Sequence, residues 1–177
     1  NIKVNICRAH LHLKEYEEAL ELATEVAAAA EAADIPRMAS FALSHMAYAS
    51  LALDDSQAAA RLYAEAASLQ LKTENLVEVA RCVAWLALIA GRNQNWDYFH
   101  LARQTAEQIW DEVKVEPTEE WRSEVESLLA QAGPVRALTE SAAEDWRSAV
   151  AELLAKPAIQ PRLTPSGSAP AAPARAT

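Results

Sequence analysis

The sequence predicts an all-α protein built from stacked antiparallel helical hairpins. Three observations support this prediction. Alanine, the best helix former, is abundant. Only 3 glycines occur among 177 residues, too few for sheets joined by tight turns at positive φ. Apolar residues recur at helical spacing, as on the face formed by Leu20, Ala23, Val26, Ala27 and Ala30.

The helical segments repeat along the chain. Three stretches align at an interval of 40 residues without gaps. The aligned positions include Tyr16, Ser56 and Trp96, then Ala19, Ala59 and Phe99, then Val26, Ala66 and Ala106. Each unit reads as two helices joined by a short turn, and small residues such as Ala47 and Ala59 would let the two helices approach closely. We expect helices at 2–13, 16–33, 36–52, 56–71, 75–91 and 96–113.

One segment of the first unit points to a family. It reads Leu13-Lys14-Glu15-Tyr16-Glu17-Glu18-Ala19-Leu20 and resembles the turn and second-helix opening of the tetratricopeptide repeat (TPR) family. The small residue that this family carries in its first helix is matched by Ala47 and Ala87. The long unit is similar to the arrays of kinesin light chains and of bacterial regulators built on signalling ATPases. The resemblance covers residues 2–113 and implies an α-solenoid, a right-handed TPR-like superhelix. A degenerate helical repeat of another family is the alternative.

The same resemblance implies a binding site. In the TPR family, the first helix of each pair lines a concave groove that holds a peptide. Transferred by register, this groove would be lined by Asn5, Arg8, His12, Phe41, Ser44, His45, Tyr48, Arg81, Ala84, Trp85, Leu88 and Arg92.

The chemistry of these residues suits a peptide ligand. Arg8, Arg81 and Arg92 stand out in a chain of net charge -9, because arginine can hold a carboxylate through two hydrogen bonds. Tyr48 and Trp85 could supply rigid aromatic anchors. The alternative is that these arginines pair with nearby glutamates on an ordinary surface. The Lys- and Asn-rich clamp of chaperone-binding TPR proteins is mostly missing, so we do not predict a cochaperone.

The domain organisation follows from the repeat and from proline. Residues 1–115 are expected to form three TPR-like hairpins, 116–156 a degenerate fourth hairpin or capping helices, and 157–177 a disordered Pro/Ala-rich tail. Helices are expected at 118–132 and 139–155, and Ser141 is the candidate opening residue of the second. Trp121 and Trp146 occupy matching places in these helices. They either pack on the array or form an interaction surface for docking or dimerisation.

Composition excludes several function classes. The negative charge and a pI near 4.9 argue against nucleic acid and anionic membranes as partners. We find no catalytic constellation, phosphate loop or metal-ligand spacing, so we predict no enzyme, no metal and no cofactor. Cys7 and Cys82 lie on apolar helix faces and are expected to be buried reduced thiols, which suits a cytoplasmic protein.

The sequence therefore predicts a protein–protein interaction module that binds a peptide or protein segment, within a larger regulatory or scaffold protein. The chain opens without Met and runs straight into an apolar helical pattern, so we expect a piece of something longer. The alternative function is a structural or oligomerisation segment of a larger assembly, with homo-oligomers and no peptide in the groove.

Overall fold

The computed structural model describes residues 2–132 and 145–156, and these residues form eight α-helices and no strand. The structure therefore confirms the all-α class. In chain order the helices are α1 (Ile2–Leu13), α2 (Tyr16–Ala32), α3 (Pro36–Ala52), α4 (Ser56–Lys72), α5 (Leu76–Arg92), α6 (Trp96–Val113), α7 (Glu119–Ala132) and α8 (Trp146–Ala155).

The helix positions agree closely with those predicted from the repeat. Each end of α1 to α6 lies within one residue of its predicted position, and α7 begins one residue later than expected. The described part of the last helix begins at Trp146, after an Asp145 cap whose carboxylate accepts from the Arg147 backbone N–H. The expected opening of that helix at 139–144 and the tail at 157–177 lie outside the described residues.

Helices that follow one another in the chain pack side by side from α1 to α6. The small residues expected at the helix crossings are fully buried: Ala19, Ala47, Ala59 and Ala87 have no exposed surface. The main core runs from α3 to α8, and a smaller cluster joins α1, α2 and α3 around Cys7, Ala23, Val26 and Ala42. Cys7 and Cys82 are both buried free thiols, as predicted.

The turns that join α1 to α6, and the turn after α6, share one geometry. Each contains a non-glycine residue in the left-handed region, and these residues recur every 20 positions: Lys14, Asp34, Asp54, Glu74, Gln94 and Lys114. In each turn the next residue donates its backbone N–H to a carbonyl five residues back, as Asp55 does to Ser50 at 2.9 Å. This pattern is the Schellman motif, which ends a helix and satisfies its last carbonyls.

The last two helices cover part of the array. α7 packs against α5, while α8 packs against α6 and α4. Gly91 allows the close approach of α7, because a Cβ there would lie 2.7 Å from Cδ1 of Leu128.

For Trp121 and Trp146 the sequence left two alternatives, packing on the array or an interaction surface; both rings lie in the core, 8% and 6% exposed. Trp121 meets Trp110 edge to face at 4.9 Å and donates its indole N–H to the Ala84 carbonyl at 3.4 Å. Trp146 donates its indole N–H to Glu112 at 2.5 Å. The apolar bulk of these rings is used to attach α7 and α8 to the array.

No helix in the described ranges combines the length and the apolar character needed to cross a membrane.

Candidate functional site

A groove of about 680 Å³ lies between the first helices of the three hairpins. It is lined by Val4, Asn5, Arg8 and Leu11 of α1, by Ile35 and then Arg37, Met38, Phe41, Ser44, His45 and Tyr48 of α3, by Tyr63 of α4, and by Glu78, Arg81, Cys82 and Trp85 of α5. The helical repeat explains this composition, since residues three or four apart on each helix project to the same side.

Aromatic rings form one wall of the groove. Trp85 is stacked on Tyr63, with ring centroids 5.8 Å apart and planes 4° apart, and Tyr48 meets Trp85 edge to face at 5.4 Å. Tyr63 is buried beneath, and burial raises the pKa of its hydroxyl well above the usual value. Tyr48 and Trp85 remain partly accessible, so the rings present a rigid apolar surface to the groove.

Arginines from all three first helices surround this surface. Arg81 is paired with Glu78 at 2.7 Å. Arg8 and Arg37 have no carboxylate within 4.0 Å among the described residues. Arg8 donates only a long hydrogen bond of 3.4 Å to Asn5, and Arg37 lies 6.0 Å from the centre of the Phe41 ring. Two guanidinium groups of the groove are thus available for an anionic group.

The titratable groups deeper in the groove are neutral near pH 7. Burial, and secondarily the charge of Arg8, lower the pKa of His45. Its Nδ1 atom is buried without a hydrogen-bond partner among the described residues. Burial raises the pKa of Cys82 to about 12, although Ser44 Oγ lies 3.7 Å from its sulfur. The charge of the groove therefore comes from its arginines and Glu78.

The structure brings together most of the residues predicted for the groove. Those that line it are Asn5, Arg8, Phe41, Ser44, His45, Tyr48, Arg81 and Trp85. His12 is exposed but lies outside the lining.

Ala84, Leu88 and Arg92 were also predicted to line the groove, but the structure places them elsewhere. Ala84 and Leu88 are 3% and 2% exposed and belong to the core, and Arg92 pairs with Glu124 of α7 at 2.6 Å. The reason is the position of α7, which lies along the C-terminal half of α5 and closes the groove there.

Arg37 and Tyr63 are the groove residues of most consequence that the sequence analysis missed. Arg37 lies four residues before Phe41 on the same helix face, and this spacing could have identified it. Tyr63 belongs to a second helix, so a rule that assigns the groove to first helices excludes it.

Among residues 2–132 and 145–156, no three His, Cys, Asp or Glu side chains gather as they would around a metal ion. No protein-family model matches the chain, and comparison with curated proteins and with solved structures gives no significant match.

Proposed function

We propose that this chain is a protein-interaction module whose groove binds a peptide or protein segment. The observation that carries the proposal is the groove itself, where two arginines to which the described residues offer no carboxylate partner lie beside a rigid aromatic surface. The 40-residue register and the packing of successive helices support the further proposal that the hairpins form a right-handed superhelix of the TPR kind.

Charge complementarity favours an acidic ligand. The chain carries a net charge of -9, yet Arg8, Arg37 and Arg81 face the groove together with one carboxylate, that of Glu78. A guanidinium group binds a carboxylate through two parallel hydrogen bonds. Tyr48 and Trp85 would contact an apolar side chain of the same segment, because such rings lose little conformational entropy on binding.

A display selection tests this function. Randomised peptides of about 12 residues would be selected on the immobilised chain, and the affinities of the selected peptides would be measured by fluorescence anisotropy. We expect the selected peptides to be rich in Asp and Glu and to compete with one another. The double substitution Arg8→Glu, Arg37→Glu should weaken them at least tenfold, since losing two charged hydrogen-bonding groups costs about 3 kcal/mol or more.

Arg61 provides a matched control. It is exposed on α4, outside the groove, and like Arg8 it has no carboxylate partner among the described residues. Arg61→Glu makes the same change in charge as Arg8→Glu alone and should leave the affinities within twofold. Selected peptides that bind the double variant as tightly as the wild-type chain would exclude the groove as the site.

We place the module in the cytoplasm, as a part of a larger regulatory or scaffold protein. Its two buried free thiols support a reducing compartment. The alternative function, a self-assembling segment that uses Trp121 and Trp146, is not developed because both rings are covered within the chain.

A further inference from the structure

A stripe of apolar side chains runs along the outer face of α1. It consists of Ile2, Ile6, Ala9 and Leu13, and we call it the α1 stripe. Ile2 is 79%, Ile6 41% and Leu13 68% exposed, and they account for three of the largest exposed apolar side chains in the described residues. At spacings of four, three and four residues, the members share one helix face. None of them lines the groove, so the stripe is a separate surface.

The repeat shows what normally covers this face. The positions 40 residues later are Ala42, Met46 and Ala49 of α3 and Leu53 just after it, and Ala42 and Met46 belong to a cluster with Cys7 of α1 and with Ala23 and Val26 of α2. In α5 the corresponding Cys82, Leu86 and Ile89 are at most 2% exposed, and α5 packs on α4. The counterparts of Ile2, Ile6 and Ala9 are therefore largely covered in α3 and α5, whereas these three side chains are exposed on α1. The counterparts of Leu13, which are Leu53 and Asn93, are exposed as Leu13 is.

The contact between α2 and α3 also indicates the size and charge of a helix that could cover the α1 stripe. α2 meets α3 through a face of small residues, and at the places of Ala42 and Met46 α1 carries Ile2, which is bulkier than alanine, and Ile6, which is about as large as methionine, so a small-residue face fits it. α1 contains no Asp or Glu, and Lys3, His10 and His12 flank the stripe. Lys3 already pairs with Glu25 and His10 with Glu15, which are both acidic groups outside α1.

We propose that the α1 stripe is a docking surface for an acidic amphipathic helix of a partner protein, which lies on α1 as α2 lies on α3. A second copy of this chain fits less well. Pairing α1 with α1 would bring basic residues together without an acid on either helix. The small-residue face of α2 is already buried in its own chain.

Two stapled peptides test this proposal. The first has the sequence of residues 16–32, with a hydrocarbon staple joining positions 24 and 28, which are exposed on the outer face of α2. The second replaces its five glutamates with lysine. Each would carry fluorescein and be titrated with the full chain at low salt. We expect the acidic peptide to bind saturably and at least tenfold more tightly than the lysine peptide.

Variants of the chain locate the contact. Ile6→Glu and Leu13→Glu should each weaken the acidic peptide at least tenfold, with unchanged circular dichroism because both side chains are exposed. Leu53→Glu is the matched control, since Leu53 directly follows α3, occupies the repeat position of Leu13 and is 37% exposed.

Three results would overturn the proposal: no saturable binding, equal binding of the lysine peptide, or equal weakening by Leu53→Glu. Sedimentation velocity tests whether a second copy of the chain covers the α1 stripe. A dimer of the wild-type chain that Ile6→Glu abolishes would assign the stripe to a second copy instead.

Discussion

At the scale of single residues, His45 and His100 link stability to pH. Burial is the main cause that lowers the pKa of each imidazole, aided by Arg8 at His45 and by Arg103 at His100. Since the unfolded side chain titrates near pH 6.5, the unfolded state binds more protons as the pH falls below that value. The stability contributed by the neutral rings is present above about pH 6.5 and is lost as the pH falls through the lower folded pKa values.

We therefore predict that the free energy of unfolding, measured in urea, falls between pH 7.5 and pH 5.5. The double variant His45→Gln, His100→Gln should show a smaller fall over the same interval. His10 and His12 are retained in both proteins, so their contribution cancels in the comparison. An equal fall in the variant would show that the two rings are not the source.

Gln70 is a second residue with a definite energetic prediction. Its side chain has no exposed surface, and both its amide nitrogen and its amide oxygen lack partners among the described residues. Burying an unsatisfied polar group is unfavourable, and methionine has nearly the same shape. Gln70→Met should raise the free energy of unfolding by about 1 kcal/mol. The exposed Gln57→Met should change it by less than about 0.5 kcal/mol. A loss of stability in Gln70→Met would show that the amide is hydrogen-bonded.

At the scale of elements, the turns show what the sequence could and could not reveal. The 40-residue spacing predicted where helices begin and end, because helical periodicity and turn residues agree in each unit. It did not predict the left-handed residue in each turn, since Lys14, Glu74 and Gln94 lack the glycine that usually marks that conformation. The left-handed positions recur every 20 residues, which is half the hairpin repeat, so all these turns have the same backbone conformation.

These positions predict a stabilising substitution. A side chain in the left-handed region costs roughly 1 kcal/mol, which glycine avoids. Glu74→Gly, at φ 55°, should therefore raise the free energy of unfolding by about 0.5 to 1 kcal/mol. Glu65→Gly, in the exposed interior of α4, should lower it by about 1 kcal/mol. Thermal or urea unfolding of the two variants checks both signs, and destabilisation by Glu74→Gly would contradict the turn geometry.

At the scale of the whole molecule, α7 determines how far the groove extends. Most residues that the register of the first helices assigned to the groove line the cavity, but the register also assigned Ala84 and Leu88, which α7 and the core enclose. Sequence periodicity identifies the inner face of a helix without showing which later segment packs on it. For the same reason the sequence left both a packed position and an interaction surface open for Trp121 and Trp146.

The attachment of α7 gives a prediction of its own. Trp121→Ala removes a buried ring that packs on Trp110 and bonds the Ala84 carbonyl, so it should lower the free energy of unfolding by about 3 to 5 kcal/mol. The partly exposed Trp85 contacts Tyr48 and Tyr63 in the groove. Trp85→Leu should cost less stability than Trp121→Ala and should weaken groove ligands. Urea unfolding and peptide titration of both variants separate the structural role of Trp121 from the ligand-binding role of Trp85. Equal stability losses would contradict this assignment.

The most direct test of the groove as the binding site is nuclear magnetic resonance mapping with a selected acidic peptide. Backbone amide shifts would be followed during titration of the labelled chain. The largest changes should fall on α1, α3 and the N-terminal half of α5, and they should disappear in the Arg8→Glu, Arg37→Glu variant. Changes concentrated on the outer helices α2, α4 and α6, or on α7 and α8, would show that the chain binds its partner elsewhere.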